Sequence, residues 1–485
     1  MFSFPLIIIL IPSIAALLIC ASGKRPNVRE FWTFFAAGIN LILLGLVACK
    51  VLGGEQLSHT LVALVPNVDL ALNIDAFGLL FALVAGFLWI PTSIYSIGYM
   101  RPLKEHAQTR YFAYFALAIS ATLGVAFSAN LLTMYMFYEL LSLSTYPLVT
   151  HHQDGEARTG GRKYLTYLLS TSIGLVLPAM IITYNIAGTL TFSDMGILGG
   201  AVSGTMMTCL LLMYLFGFAK AGVMPFHSWL PGAMVAPTPV SSLLHAVAVV
   251  KVGVFCILRI FTGVFGISVL TSTGLNTIIC VVASFTVIVS SLIALTQDNL
   301  KRRLAFSTIG QLSYIILGAG IASKLAVSGS MLHIAMHAFG KITLFFCAGA
   351  IFVATGEKYI SKMVGIGKKM PVTMTAFLIG SLSIIGMPPA GGLISKWLML
   401  NGAFNSGLTW VIGVYLVSSL LNAAYFFPII YNAFFATEET NQYPGGIKEA
   451  PLWAVVPPVI TATCTVLLFL KPDLFLALAK MATGA

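Results

Sequence analysis

The sequence predicts an all-α polytopic membrane protein with about fourteen transmembrane helices. Of the 485 residues, 58% are hydrophobic and only 8% are charged, and the mean hydropathy is +0.96. A soluble domain carries roughly 25% charged residues. A helix crosses about 30 Å of hydrocarbon with roughly 20 apolar residues, and apolar stretches of this length recur along the whole chain. A soluble fold is therefore excluded.

The apolar stretches are separated by loops that contain charges, glycine or proline. The first stretch has no basic flank and no cleavage signature, so it is predicted to be a retained helix. Short alternating strands, as in a membrane barrel, are not expected. Helices 1 to 14 are predicted at residues 3–21, 31–52, 72–94, 111–127, 130–149, 164–186, 205–224, 240–262, 274–295, 304–321, 327–354, 371–402, 408–436 and 451–470.

The basic residues predict the orientation of the chain in a cell inner (plasma) membrane. Short cytoplasmic loops carry an excess of Lys and Arg. If both termini lie outside, most of the 26 basic residues fall in inner loops. Those that fall outside are Lys50, Lys324, Lys471 and Lys480. The net charge of +11 is then explained by membrane topology and contact with lipid, and no nucleic-acid partner is expected.

Five charged residues lie inside the apolar stretches rather than at their ends. Glu139 is central in helix 5, and Lys220, Lys251, Lys341 and Lys396 lie in helices 7, 8, 11 and 12. A charge in hydrocarbon is costly and generally marks a transport pathway. These five residues are therefore the candidate functional site.

Glycine and proline interrupt two of the stretches, after Lys220 in AKAGVMPFHSWLP and before Lys396 in GMPPAGGLISKW. Proline removes a backbone donor, which lipid tolerates only where protein or water satisfies the freed groups. Two such breaks predict inverted five-helix repeats, helices 4–8 and 9–13, with helices 7 and 12 broken. Two unrelated kinked helices are the alternative. The predicted units are residues 1–110 (helices 1–3), 111–262 (first repeat), 263–436 (second repeat) and 437–485 (helix 14).

Histidines accompany two of the lysines. His333, His337 and Lys341 recur every four residues and share one face of helix 11. A proton path explains this face, because histidine titrates near neutral pH and a desolvated lysine releases its proton. A metal site there would need a third ligand, and none is nearby in sequence. His245 either borders the same hydrated space as Lys251 or is a packing histidine.

Glu139 and Lys220 are predicted to pair and to work as a switch. An opposite charge favours the ionised lysine, and desolvation disfavours it, so opening the pair releases a proton. Alternatively, Glu139 is hydrogen-bonded to Ser142, Thr133 or a neighbouring helix and has no transport role. Arg259, near the outer end of helix 8, is expected to snorkel or to pair.

No cofactor, metal or redox site of the chain's own is expected. The sequence has no dinucleotide fingerprint after a strand. The seven cysteines lack the spacing of an iron-sulfur or disulfide framework, and they are Cys20, Cys49, Cys209, Cys256, Cys280, Cys347 and Cys464.

Several motifs together resemble the antiporter-like subunits of respiratory complex I and of Mrp-type multisubunit Na+/H+ antiporters. They are MFYELLSLSTYPLV, AKAGVMPFHSWLP, APTPVSSLLHAVAVVKVGVF, QDNLKRRLAFSTIGQLSY, HAFGKITLFF and GGLISKW. The resemblance covers about residues 70–435. It implies that Glu139, Lys220, Lys251, Lys341 and Lys396 form the proton path of such a subunit.

The resemblance implies two alternative functions. The first is the proton-translocating subunit of a monovalent cation (Na+)/H+ antiporter. The second is a proton-pumping subunit of a complex I-like NADH:quinone oxidoreductase or a membrane-bound hydrogenase, whose redox chemistry lies in other subunits. Both imply a hetero-oligomer with other membrane subunits.

The D-type Mrp subunit is the nearest likeness within this family. The M-type complex I subunit has a glutamate where this chain has Lys396, and the A-type and L-type subunits extend further after helix 14. The N-type fits less well. Many relatives also have an acid where Gly232 follows WLP, so a role of that acid is not expected here. Because Na+ prefers several oxygen ligands and Glu139 is the only central acid, any Na+ path is expected in another subunit or at an interface.

Overall fold

The computed structural model describes residues 3–199, 203–435, 442–443 and 446–485, apart from the side chains of residues 65, 244 and 245. Helices are numbered here after the predicted stretches. They are α1 Phe4–Ala21, α2 Pro26–Leu52, α3 Ala76–Met100, α4 Gln108–Ala126, α5 Leu131–Val149, α6 Gly155–Ala187, α7 Gly204–Gly217, α8a Thr238–Ser242, α8b Val249–Arg259, α9 Leu275–Thr296, α10 Leu300–Gly320, α11 Lys324–Thr355, α12a Pro371–Ile385, α12b Gly392–Asn405, α13 Thr409–Phe434, α14 Leu452–Leu470 and α15 Asp473–Thr483. Short helices are Trp229–Gly232, Ile267–Ser272 and Ile366–Lys369.

The helical membrane fold predicted from the sequence is confirmed. Every predicted stretch contains a helix, and eight helices of the described residues are long and apolar enough to cross a membrane, namely α1, α2, α3, α6, α9, α11, α13 and α14. The count of fourteen crossings, the inverted repeats and the orientation stay predictions.

The prediction of a purely helical chain is wrong at residues 57–74. Strands β1 (Leu57–Val65) and β2 (Val68–Ile74) pair antiparallel around a turn at Pro66 and Asn67. Asn67 has a φ of 60°, a left-handed conformation that asparagine tolerates. The hairpin lies on the start of α5, where the Asn130 side chain donates to the Asp69 carbonyl at 2.6 Å. Helix 3 therefore begins at residue 76 rather than 72.

Helix α11 forms the centre of the fold. Every residue from 326 to 351 is buried, because α3, α10, α12a, α12b, α14 and α15 all pack around it. A helix that is apolar around its whole circumference is expected to be enclosed in this way. The polar side chains of α11 consequently face protein and not lipid.

Both breaks predicted from glycine and proline are present. Helix α7 ends at Gly217, and a 3-10 turn at Ala219–Ala221 follows and ends at Gly222 with a φ of 68°. Helix α12a ends at Ile385, and Gly386, with a φ of 89°, turns the chain away. Each break holds one buried lysine, Lys220 in the first and Lys396 beside the second.

Helix 8 is interrupted, although one continuous helix was predicted at residues 240–262. A π-helical segment, Leu243–Val247, separates α8a from α8b, and a second one, Ile260–Phe265, follows α8b. A further π-helical segment, Ser172–Val176, lies inside α6. Such segments are common next to functional sites because they redirect side chains within a helix.

Arg259 at the end of α8b forms an ion pair, as one of the two expectations from the sequence required. Its Nη2 lies 2.5 Å from Asp75 Oδ1, and Asp75 also caps α3 by accepting from the Gly78 amide at 2.8 Å. The pair therefore joins the end of α8b to the start of α3.

Gly253 lets α8b pack directly on the backbone of the helix 7 break. A Cβ at this position would overlap the backbone of Lys220 and would lie 2.8 Å from Ala221 Cα. We expect Gly253→Ala to lower the free energy of unfolding by about 1–3 kcal/mol through overpacking. Thermal unfolding of the purified chain in detergent measures this effect.

Gly38→Ala in α2 is the matched control, because a Cβ there meets nothing within 4 Å. It should leave the melting temperature unchanged or raise it slightly, since alanine restricts the unfolded chain. Equal melting temperatures for the two variants would contradict the tight backbone contact.

Candidate functional site

Glu139 holds a carboxylate with no hydrogen-bond partner among the described residues. Both carboxylate oxygens are buried. The two side chains named above as alternative partners form hydrogen bonds with other groups. Ser142 Oγ donates to the Tyr138 carbonyl at 3.3 Å, and Thr133 Oγ1 accepts from the Ala71 amide at 3.2 Å. The alternative of a hydrogen-bonded, structural Glu139 finds no support in these contacts.

Lys220 is completely buried beside the residue that precedes Glu139. Its Nζ donates to the Tyr138 carbonyl and lies 3.3 Å from the centre of the Tyr138 ring. The ion pairs formed within the described residues do not include one between Lys220 and Glu139. A carbonyl and an aromatic face hold the Lys220 ammonium in this structure. Glu139 lies close enough to act on it electrostatically, so the predicted switch between the two residues stays a prediction.

Lys251 on α8b and His337 on α11 are joined directly. Lys251 Nζ and His337 Nδ1 are hydrogen-bonded, and both side chains are buried. When Lys251 is charged it can only donate, and the ring proton of His337 is then on Nε2. His337 Nε2 has no partner within the part of the chain that the structure describes.

His333 continues this line along α11. The rings of His333 and His337 are stacked with their centres 6.0 Å apart. His333 Nε2 bonds Gln311 Oε1 at 3.0 Å, and Nδ1 bonds Ser395 Oγ at 2.8 Å. The predicted shared face of α11 is confirmed for the two histidines, and both ring nitrogens of His333 are occupied, which disfavours the alternative of a metal there.

Lys341 lies one turn further along α11 and contacts a second polar group. Its Nζ donates to Ser307 Oγ at 2.8 Å. Ser307 Oγ also bonds the Tyr425 hydroxyl at 2.8 Å, which in turn bonds the Asn422 side chain. Lys341 is thus connected from α11 through α10 to α13.

Lys396 on α12b donates back across the break in its own helix. Nζ lies 2.8 Å from the Ile384 carbonyl and 3.0 Å from the Ile385 carbonyl. It also lies 3.5 Å from Ser419 Oγ and 4.4 Å from the centre of the Tyr314 ring. Its surroundings parallel those of Lys220, with backbone carbonyls on one side and a tyrosine ring on the other.

The structure brings most of the predicted site residues into one buried line. Lys251 contacts His337, and His333 follows on the same face of α11. Ser395, which bonds His333, directly precedes Lys396 in the chain. Glu139 and Lys220 form a separate group, since no hydrogen bond of the described residues joins Lys220 to Lys251. The side chain of His245 lies outside the described residues.

Three neutral polar residues of the buried line were not predicted from the sequence. Ser307, Gln311 and Tyr314 lie on one face of α10 and contact Lys341, His333 and Lys396. Their spacing of four and three residues in AFSTIGQLSY was the available signal. Because they are uncharged, they do not stand out in an apolar stretch as a lysine or glutamate does.

A cavity of about 740 Å³ approaches this line from the loops predicted to be inner. It is lined by charged and polar residues such as His227, Lys301 and Arg302, and by Phe306 and Ala348 of α10 and α11. Phe306 precedes Ser307, the partner of Lys341. Space for water therefore reaches close to one end of the buried line.

Comparison with known proteins identifies the family. The family model for the transmembrane part of NADH:quinone oxidoreductase and Mrp antiporter subunits matches residues 128–422, which contain all the predicted site residues. NADH-quinone oxidoreductase subunit N of Desulforudis audaxviator is 32% identical over 94% of this chain and 89% of that protein. The A-type subunit of the Na(+)/H(+) antiporter of Bacillus subtilis is 31% identical over 79% of this chain, which spans about half of that longer relative, 50%.

Two solved structures share the fold. A chain of the Mrp complex from Dietzia sp. DQ12-45-1b superposes with a TM-score of 0.87 at 20% identity, over 99% of this chain and 96% of that chain. A chain of an archaeal membrane-bound sulfane sulfur reductase superposes with a TM-score of 0.87 at 24% identity, over 99% and 97% of the two chains. The family model and the sequence relatives show that the chain belongs to the NADH:quinone oxidoreductase/Mrp antiporter transmembrane family.

Proposed function

We propose that this chain is the proton-translocating subunit of a multisubunit monovalent cation (Na+)/H+ antiporter, in the D-type position. Protons would move along Glu139, Lys220, Lys251, Lys341 and Lys396 and the histidines between them. The observation that carries this proposal is the buried contact series from Lys251 through His337 and His333 to Ser395, beside Lys396. Titratable groups in contact within a membrane are typical of proton relays.

Protons fit this line better than Na+. A hard cation prefers several oxygen ligands, as Ca²⁺ and Mg²⁺ sites illustrate. The line instead consists of amines, imidazoles and single hydroxyl or amide oxygens. Any Na+ path therefore lies in another subunit or at a subunit interface.

A redox-driven pump is the second candidate, and one observation favours it. The chain is 32% identical to the N-type subunit of an NADH-quinone oxidoreductase and covers 89% of that subunit. In that case the same buried line would serve an NADH:quinone oxidoreductase or a hydrogenase. The energy would come from redox centres in other subunits.

In either case, the chain would work together with the other membrane subunits of its complex. The relatives are named as subunits of multisubunit enzymes or antiporters, and we propose other membrane subunits as partners of this chain in the plasma membrane. Alone, it should not catalyse robust exchange.

Purification of the native complex, followed by identification of its subunits, separates the two candidates. Small antiporter subunits would support the first, and iron-sulfur, quinone-site or nickel-site subunits the second. Everted vesicles with a fluorescent pH probe supply the functional test. Antiport predicts a pH change on adding Na+ or another monovalent cation, whereas a redox pump responds only to its electron donor. Exchange by this chain alone would contradict the need for partners.

A further inference from the structure

Three histidines surround one carboxylate at the ends of α3 and α5, outside the buried line. Glu105, His106 and His151 each place a possible ligand atom within 4.8 Å of the others. His152 Nε2 lies 3.3 Å from Glu105 Oε1. The loop after α3 thus meets the loop after α5 through side chains that commonly bind metals.

His151 lacks the partners that a buried imidazole normally has. Its side chain is 0% exposed, and neither ring nitrogen has a hydrogen-bond partner among the described residues. Glu105 Oε2 is 3.8 Å from His151 Nε2, which is too far for a hydrogen bond. Buried polar atoms are rarely left unsatisfied, since this costs about 1–3 kcal/mol. A ligand between the two residues would satisfy both.

Other charges near the cluster leave the ligand atoms free. Arg110 Nη2 donates to the backbone carbonyl of His151 at 2.7 Å and not to its ring. Asp154 accepts from the Ala157 amide as the cap of α6 at 2.7 Å.

We propose that Glu105, His106 and His151 bind a divalent transition-metal ion of the zinc class. Two imidazoles and one carboxylate are a donor set that zinc uses in proteins. With bonds of about 2.0–2.1 Å, the ligand atoms of a tetrahedral site lie roughly 3.3 Å apart, so the cluster must tighten by about 1.5 Å. His106 is exposed on a loop and can make this movement. His152 is a positioning residue that holds the carboxylate by its hydrogen bond.

The position of the cluster gives the ion a consequence. Glu105 and His152 also line the 740 Å³ cavity that approaches Lys341. A bound ion would fix the loops after α3 and α5 together at the cavity wall. Resting on the proposed proton transport, zinc applied on this side should slow proton uptake.

Cobalt absorption and zinc titration of the full-length chain in detergent test the site without requiring transport. The wild type should bind one ion and give the visible absorption bands of tetrahedral cobalt. His106→Asn and His151→Gln should weaken binding by more than the about 10- to 100-fold loss that outer partners cause. His59→Gln, in the β1 strand, is the matched control and should bind like the wild type.

His106→Asn separates metal loss from misfolding, because His106 is exposed and its replacement should leave the melting temperature unchanged. Cobalt binding that persists in both His106→Asn and His151→Gln, or absence of binding by the folded wild type, would overturn the site. In vesicles, zinc inhibition should disappear in His106→Asn. If transport fails for other reasons, the spectroscopic result still decides the metal site.

Discussion

Lys251→Met should reduce proton translocation by the complex by more than about tenfold, the effect of only about 1.4 kcal/mol on a barrier. Methionine keeps the apolar length of lysine but removes the hydrogen-bond partner that His337 Nδ1 has among the described residues. The buried imidazole would lose its partner, and the series from α8b to α11 would be cut. Initial rates in everted vesicles with a fluorescent pH probe measure this effect.

Lys324→Met is the matched control for Lys251→Met. Lys324 is exposed at the start of α11 and donates only to the Gly484 carbonyl, at 3.0 Å. Its replacement should leave the rate unchanged. Both variants should first be compared for abundance and melting temperature. A Lys251→Met complex that is intact and transports normally would exclude the buried line as the proton path.

Glu139→Gln should produce the second-largest loss of transport. The substitution keeps the size of the side chain and removes the charge, and no hydrogen bond of the described residues is lost with it. A purely structural role therefore predicts little change, or even greater stability, because an unpaired buried carboxylate is unfavourable. A role in proton transfer predicts a rate reduced by more than about tenfold, which again requires only about 1.4 kcal/mol.

The pH profile of transport distinguishes these outcomes for Glu139→Gln. Loss of a proton-transfer group should change how the rate depends on pH as well as lower its maximum. Glu55→Gln is the control, since Glu55 is exposed and pairs with exposed Lys50 at 2.8 Å. Unchanged rate and unchanged profile in Glu139→Gln would leave Glu139 without a transport role.

The sequence predicted the helices and the buried charges because lipid imposes simple rules. Apolar length determines where a helix can cross, and a charge such as Lys251 stands out in an apolar stretch. The Gly and Pro breaks beside Lys220 and Lys396 were visible for the same reason. The four-residue spacing of His333 and His337 was sufficient to place them on one face.

The remaining features depend on side-chain direction and on contacts between distant residues. Lys220 Nζ contacts Tyr138 rather than Glu139, although Tyr138 and Glu139 are adjacent in sequence. The β1–β2 hairpin was not predicted, because its short alternating segment gives a weaker pattern than the helix-length apolar stretches. The metal-type cluster was missed because Glu105 and His151 come from different loops.

Lys396 shows how a protonation change can leave the structure unaltered. A charged ammonium has three N–H donors, which match the carbonyls of Ile384 and Ile385 and the hydroxyl of Ser419. A neutral amine retains two N–H donors for the carbonyls, and its lone pair accepts from the hydroxyl instead. Only the direction of one hydrogen bond reverses. Lys396 can thus gain or lose a proton without a rotamer change, which keeps the reorganisation energy of that step small.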